Sequence, residues 1–168
     1  LGRFSAGLED ELIVTTKAYF PTGPGPNQRG SSRYHLVRAV EASLKRLNRD
    51  RIDIFFLHRW DDATDLEETL RAVEMLVQAG KILYPAVSNF SAWQTMKALA
   101  LSQSLGASPI VATQPMYNLV KRQAEAEILP MAQSEGLGVL PYSPLGGGLL
   151  TGKYDLKGAS ASGRLVDN

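Results

Sequence analysis

The chain of 168 residues contains no cysteine and only two histidines. Without cysteine there can be no disulfide framework, no thiolate nucleophile and no cysteine-based zinc site, and such a composition fits a reducing cytoplasm, where we expect the protein. A dominant charge is also lacking. Eighteen Lys and Arg face 17 Asp and Glu for a net charge of +1, so there is no electrostatic footprint for nucleic acid or an anionic membrane, and neither is expected as a partner. No apolar run approaches the ~20 residues that span a bilayer. Asp61 and Asp62 follow His58, but no second histidine is near and Arg59 adds a positive charge, so no metal is expected. The opening Leu1-Gly2-Arg3-Phe4 has neither an initiator methionine nor a signal-peptide pattern and reads as the interior of a longer polypeptide.

What is present is an ordinary globular composition, 44% hydrophobic and 21% charged, of a length that suits a single domain over residues 1–168. Apolar runs Leu12–Lys17 and Ile52–His58 read as buried strands, each ending in a group whose proton affinity burial and neighbours can tune. Lys17 reads three ways: a rim lysine in a salt bridge, a Schiff-base lysine, or a lysine that lowers a neighbour's pKa. His58 is a structural histidine, an acid/base group or a ligand. Three further strand-like runs end at Ser88-Asn89, Gln114 and Tyr142-Ser143. Amide and hydroxyl groups there recognise amides and hydroxyls or cap strand ends, and the Tyr142 ring stacks on a flat ligand or packs.

Between these runs lie helical patterns. Ser31 or Ser32 caps a helix with Leu36, Val40, Leu44 and Leu47 on one face. Asp65-Leu66-Glu67-Glu68 has the form of a capping box, and its helix stops at Gly80. Ser91-x-x-Gln94 opens another helix, and a continuous helix is predicted from about Arg122 to Glu135. Strand ends at 17, 58, 88, 114 and 142 are separated by 41, 30, 26 and 28 residues. This repeat favours part of a (β/α)8 barrel, about five βα units, over a doubly wound sheet. Complete barrels typically need about 250 residues, so strands are expected to be missing at both ends. Gly147 to Lys153 nearly matches a phosphate-binding P-loop, with Tyr154 where the magnesium-binding hydroxyl belongs, so a nucleotide triphosphatase is disfavoured while a pyrophosphate cradle is not.

Taken in order, Val14-Thr15-Thr16-Lys17, Glu41-Ala42-Ser43-Leu44-Lys45-Arg46-Leu47, Asp53-Ile54-Phe55-Phe56-Leu57-His58, Val87-Ser88-Asn89-Phe90, Gln114-Pro115-Met116-Tyr117-Asn118, Tyr142-Ser143-Pro144-Leu145-Gly146 and Gly148-Leu149-Leu150-Thr151-Gly152-Lys153-Tyr154 resemble the aldo-keto reductase family. The long loop after Lys17 is similar to the subgroup of bacterial general reductases and potassium-channel β subunits. The resemblance implies strands 3 to 7 of a (β/α)8 TIM barrel that binds NADP(H), or NAD(H) as in a minority of the family, and reduces a small carbonyl substrate.

By that resemblance Lys17 is the catalytic lysine that lowers the pKa of a proton-donating tyrosine, and His58 orients the carbonyl. Ser88, Asn89 and Gln114 would hold the nicotinamide carboxamide, and Tyr142 would stack on its ring. Ser143, Leu145, Gly146, Gly147 and Gly148 would line the pyrophosphate, with Lys153 adding charge and Arg164 near the cofactor. Tyr19, Phe20, Trp60, Phe90 and Tyr117 are candidates for an aromatic substrate pocket, or equally for packing. The family's proton-donating tyrosine and its aspartate partner precede the matched segments, so residues 1–168 alone are expected to have negligible reductase activity. Two other functions stay open: a cofactor-binding regulatory subunit similar to the channel β subunits, and a Schiff-base aldolase using Lys17. The channel subunits typically carry asparagine at the position of His58, which favours an enzyme.

Overall fold

The computed structural model describes residues 2–5, 7–8 and 11–154; Arg164 lies outside them. Five parallel strands form one sheet in sequential order: β1 (Thr15–Ala18), β2 (Ile52–Leu57), β3 (Ile82–Ser88), β4 (Ala112–Gln114) and β5 (Gly138–Val139). Helices α1 (Arg33–Leu47), α2 (Leu66–Gln78), α3 (Ala92–Ser104) and α4 (Ile128–Ser134) connect them. An unbroken parallel order with a helical crossover between successive strands is the topology of a partial (β/α)8 barrel.

Two phases of residues divide the strands because successive side chains point to opposite faces. Phe55, Leu57, Val87 and Ala18 face the helices and join Leu36, Val40, Leu44, Val73 and Leu76 in the larger core. Phe56, Ala86 and Ala112 face the other way and form a small cluster with Ile54 and Leu140. Register aligns these rows, with Lys17 beside Phe56, Phe56 beside Ala86, Ala86 beside Ala112 and Ser88 beside Gln114. One pleat beyond the inner apolar row come His58, Ser88, Gln114 and Tyr142. The alternation that buries Phe56 and Ala86 therefore also delivers these polar residues to a common face.

The helix starts follow the local chemistry. Ser32, rather than Ser31, caps α1 by accepting from the His35 N–H, and Ser91 and Gln94 form a reciprocal capping box at α3. At α2 the predicted box does not form. Asp65 accepts from the Glu67 N–H, while Glu68 is turned away to accept from the Arg33 N–H. The predicted helix over 122–135 is divided into a 3-10 turn at Gln123–Glu125 and α4. Pro130 explains the break, because it has no N–H to give the Ala126 carbonyl and its ring would collide with that carbonyl in a continuous helix.

Strand ladders are shorter than the apolar runs. Leu12 and Ile13 are exposed and pairing begins at Thr15, with the Val14 N–H taken by the Asp53 carboxylate at 2.8 Å. Pro141 interrupts the fifth run, and pairing resumes as a single bridge between Met116 and Tyr142. Among the described residues no helix is long and apolar enough to cross a membrane.

Candidate active site

The C-terminal strand ends enclose a cavity of about 630 Å³ whose wall includes Lys17, His58, Ser88, Asn89, Gln114 and Tyr142. Residues from five separate strand ends thus meet in one space, where barrels of this type place their reactive groups. Phe20 and Arg59 complete the wall. A second cavity of about 440 Å³, on the side of α1, shares Lys17, Phe20 and His58 with it.

Lys17 sits above the fully buried Phe56, with Nζ 4.9 Å from the ring centroid. No carboxylate pairs with it among the described residues. Burial lowers its pKa from the usual lysine value because the ammonium loses water, and the aromatic face replaces only part of that hydration. The imidazole of His58 makes an edge-to-face contact with Phe20 at 4.8 Å between centroids. Its pKa is lowered too, first by desolvation and then by the charge on Lys17. A neutral imidazole at physiological pH keeps one N–H donor and one free lone pair.

Asn89 has further partners within the site. Its carboxamide is engaged at both ends: Nδ2 donates to the His58 carbonyl at 3.0 Å and to Ser88 Oγ at 3.0 Å, and Oδ1 accepts from the Tyr142 hydroxyl at 2.7 Å. Asn89 is therefore a brace tying three strand ends together. It sits in the left-handed region at φ 55°, which asparagine tolerates better than most residues. Ser88 is also engaged, donating to the Gln114 carbonyl at 2.9 Å. The Gln114 side-chain amide has no partner among the described residues and lines the cavity.

Beyond Tyr142 the chain turns away from this cavity, and Ser143, Leu145, Gly146, Gly147, Gly148 and Lys153 are not among its walls. Asn118, which the sequence reading passed over, donates to the Ser143 carbonyl at 2.9 Å and accepts from the N–H groups of Val120 and Lys121. It fixes the start of the glycine turn. The Gly146 and Gly148 N–H groups are occupied inside that turn, bonding the carbonyls of Ser143 and Leu145. Gly148 has φ +98°, and a Cβ there would fall 2.8 Å from Lys153 Cε, so the turn requires glycine at this point. Lys153 Nζ lies over the Tyr154 ring.

The five aromatic pocket candidates separate. Phe20 reaches the main cavity and Tyr19 the one beside it. Phe90 is buried in the larger core with Trp60 packed against it, and the Tyr117 hydroxyl donates to Glu125. For Phe90 and Tyr117 the structure shows core packing and a local hydrogen bond, the packing alternative offered for these aromatics from the sequence. Asp61, weighed from the sequence only as a metal ligand, holds the long loop against α1 by accepting from the Ser31 N–H at 2.7 Å and the Thr64 hydroxyl at 2.8 Å.

The donor set suits a nicotinamide group. An unpartnered amide at Gln114 can pair with a carboxamide, and the Tyr142 hydroxyl bond holds a flat ring at the cavity wall. Among the described residues no three His, Asp or Glu side chains are placed to hold a metal ion.

A family model described as the aldo/keto reductase family matches residues 1–167. The chain is 41% identical over 150 residues to L-glyceraldehyde 3-phosphate reductase of Escherichia coli K12, covering 89% of this chain and 43% of the relative. It is 40% identical over 153 residues to a probable voltage-gated potassium channel subunit beta of Arabidopsis thaliana, covering 90% and 46% respectively. With the mouse aflatoxin B1 aldehyde reductase member 2 it shares 44% identity over 132 residues, covering 77% and 36%. The chain thus spans less than half the length of these three curated relatives. With the parallel order of its strands and the polar row at their C-terminal ends, this extent of similarity establishes that the chain belongs to the aldo/keto reductase family.

Proposed function

We propose that the native protein carrying this chain reduces aldehydes or ketones to alcohols using NADP(H). The observation that carries the reading is the meeting of the Lys17, His58 and Gln114 side chains, none of which has a hydrogen-bond or ion-pair partner among the described residues, in one cavity at the strand ends. Bound reduced nicotinamide would supply the hydride. Gln114 would hold the carboxamide through its free amide, with the Ser88 hydroxyl beside it, and Tyr142 would offer its ring face. The neutral His58 imidazole would donate a hydrogen bond to the substrate carbonyl oxygen and polarise it. The Lys17 ammonium would stabilise the oxyanion that develops there and lower the pKa of the acid that protonates it. The aldehyde-reducing activity named for the Escherichia coli and mouse relatives supports this reading.

A second reading is a nicotinamide-binding regulatory subunit, which the similarity to the Arabidopsis channel subunit favours. One experiment separates the two: titration of the native protein with NADPH, followed by addition of aldehydes. Binding with turnover is expected for a reductase, and binding without turnover of any aldehyde for a regulatory subunit. No NADPH binding at all would overturn both. In Gln114→Ala the affinity should fall about tenfold, since one or two neutral hydrogen bonds are lost.

A further inference from the structure

Asp61 lies three residues beyond His58 and joins the segment that carries His58 to the long loop that carries Phe20. Its carboxylate is engaged at both oxygens. Oδ2 accepts from the Ser31 N–H at 2.7 Å and the Thr64 hydroxyl at 2.8 Å, and Oδ1 accepts from the Ala63 N–H at 3.1 Å. Hydrogen bonds to a carboxylate are roughly twice as strong as those between neutral groups. Ser31 is buried, and its carbonyl accepts from the Thr69 hydroxyl of α2 at 3.0 Å, so it is pinned from both sides. Gly30, just before it, has φ +82°, and a Cβ there would fall 2.8 Å from Asp61 Oδ2. This close approach of backbone to carboxylate requires glycine.

The clamp acts on the neck of the loop. The Gly30 N–H donates to the Tyr19 carbonyl at 2.7 Å, and within the loop the Thr22 N–H donates to the Gln28 carbonyl and the Gly25 N–H to Gln28 Oε1. A loop with joined ends and internal bonds of this kind is an Ω-loop. Phe20 stands next to the neck, and its ring meets the His58 imidazole at 4.8 Å between centroids and 85° between planes. Phe20 is 49% exposed, so burial does not fix the ring, and its place is inherited from the neck. The contacts form a closed circuit, from His58 through Phe20, the Tyr19–Gly30 bond and the Ser31–Asp61 bond, and back along the chain to His58. We infer that Asp61 is a positioning residue of this site, clamping the loop neck so that Phe20 holds the His58 imidazole in one orientation towards the substrate carbonyl. The long loop is accordingly a fixed wall of the cavity. The inference rests on the reductase reading above for its catalytic effect but not for the ring contact.

The experiment uses the native protein, NADPH and 4-nitrobenzaldehyde, with NMR as a readout independent of turnover. In Asp61→Ala the nuclear Overhauser effect between the Phe20 and His58 ring protons should disappear. Its kcat should fall about 10- to 100-fold, the cost of displacing a reacting group by about 1 Å, while NADPH affinity stays unchanged. Phe20→Ala should lower kcat by a similar factor, and the double variant should lose no more than either single one, because both changes open the same circuit. Asp61→Asn keeps one oxygen to accept from Ser31 and should retain most of the contact and of kcat. Circular dichroism checks that each variant is folded. Gly30→Ala presses on the same junction from the loop side and should reproduce the Asp61→Ala losses, which gives a test should Asp61→Ala not fold. An intact ring contact and kcat in either variant, or losses from Asp61→Ala and Phe20→Ala that multiply, would overturn the inference and leave the reductase reading intact. A ring contact that depends on Asp61, with no aldehyde reduced by the native protein, would do the reverse.

Discussion

Replacing Asn89 by alanine removes the brace between three strand ends, and its cost can be worked out from the structure. Three hydrogen bonds are lost, at 3.0, 3.0 and 2.7 Å. They are partly exposed, so each contributes near the low end of the usual range, about 0.5 kcal/mol. Alanine at φ 55° adds roughly 1 kcal/mol of left-handed backbone strain. The sum is a destabilisation of about 2–3 kcal/mol, measured as the change in unfolding free energy from urea titration of the native protein. Asn89→Gly loses the same bonds but not the backbone freedom, so it should retain more stability than Asn89→Ala. A double-mutant cycle with Tyr142→Phe isolates the hydroxyl bond, with an expected coupling of about 0.5–1.5 kcal/mol. A coupling indistinguishable from zero, with Asn89→Ala as stable as wild type, would refute the brace.

Two other outcomes follow from burial. Phe55 is 1% exposed in the core between sheet and helices, so Phe55→Ala should cost about 3–5 kcal/mol in the same urea assay; a loss below 1 kcal/mol would mean that this core is not packed as described. For His58, desolvation and Lys17 lower the folded-state pKa beneath the ordinary imidazole value of about 6.5. Between those two values the unfolded chain binds more protons than the folded one. The His58 contribution is thus neutral above about pH 6.5, becomes destabilising as pH falls through this window and levels off below the folded-state value. The His58 ring resonances should titrate with a midpoint below 6.5 in NMR spectra, and a midpoint above it would contradict the assigned environment.

The parts of this molecule that were legible in the sequence are those set by period and by terminal chemistry. Runs such as Ile52–Leu57 announce buried strands, and the step of two from Phe56 to His58 and from Ala86 to Ser88 determines which polar groups share a face. Ser91 and Gln94 specify their capping box because both partners lie within one turn. Less legible were features that depend on distant partners. Asp65 and Glu68 have the same local pattern, but Glu68 is drawn to the Arg33 N–H on another helix, a contact that spacing cannot reveal. The carboxamide of Asn89 reads as a free recognition group until the Tyr142 hydroxyl, 53 residues later, is seen to occupy it.

The most direct test of the central claim is carbonyl reduction by the native protein with NADPH, compared with Lys17→Met and His58→Gln. Each variant should lose about 10²–10⁴ in kcat, the range for removing a group that assists proton transfer in the transition state, while still binding NADPH. Reduction at the wild-type rate in both variants would contradict the assignment of this cavity as the site of reaction.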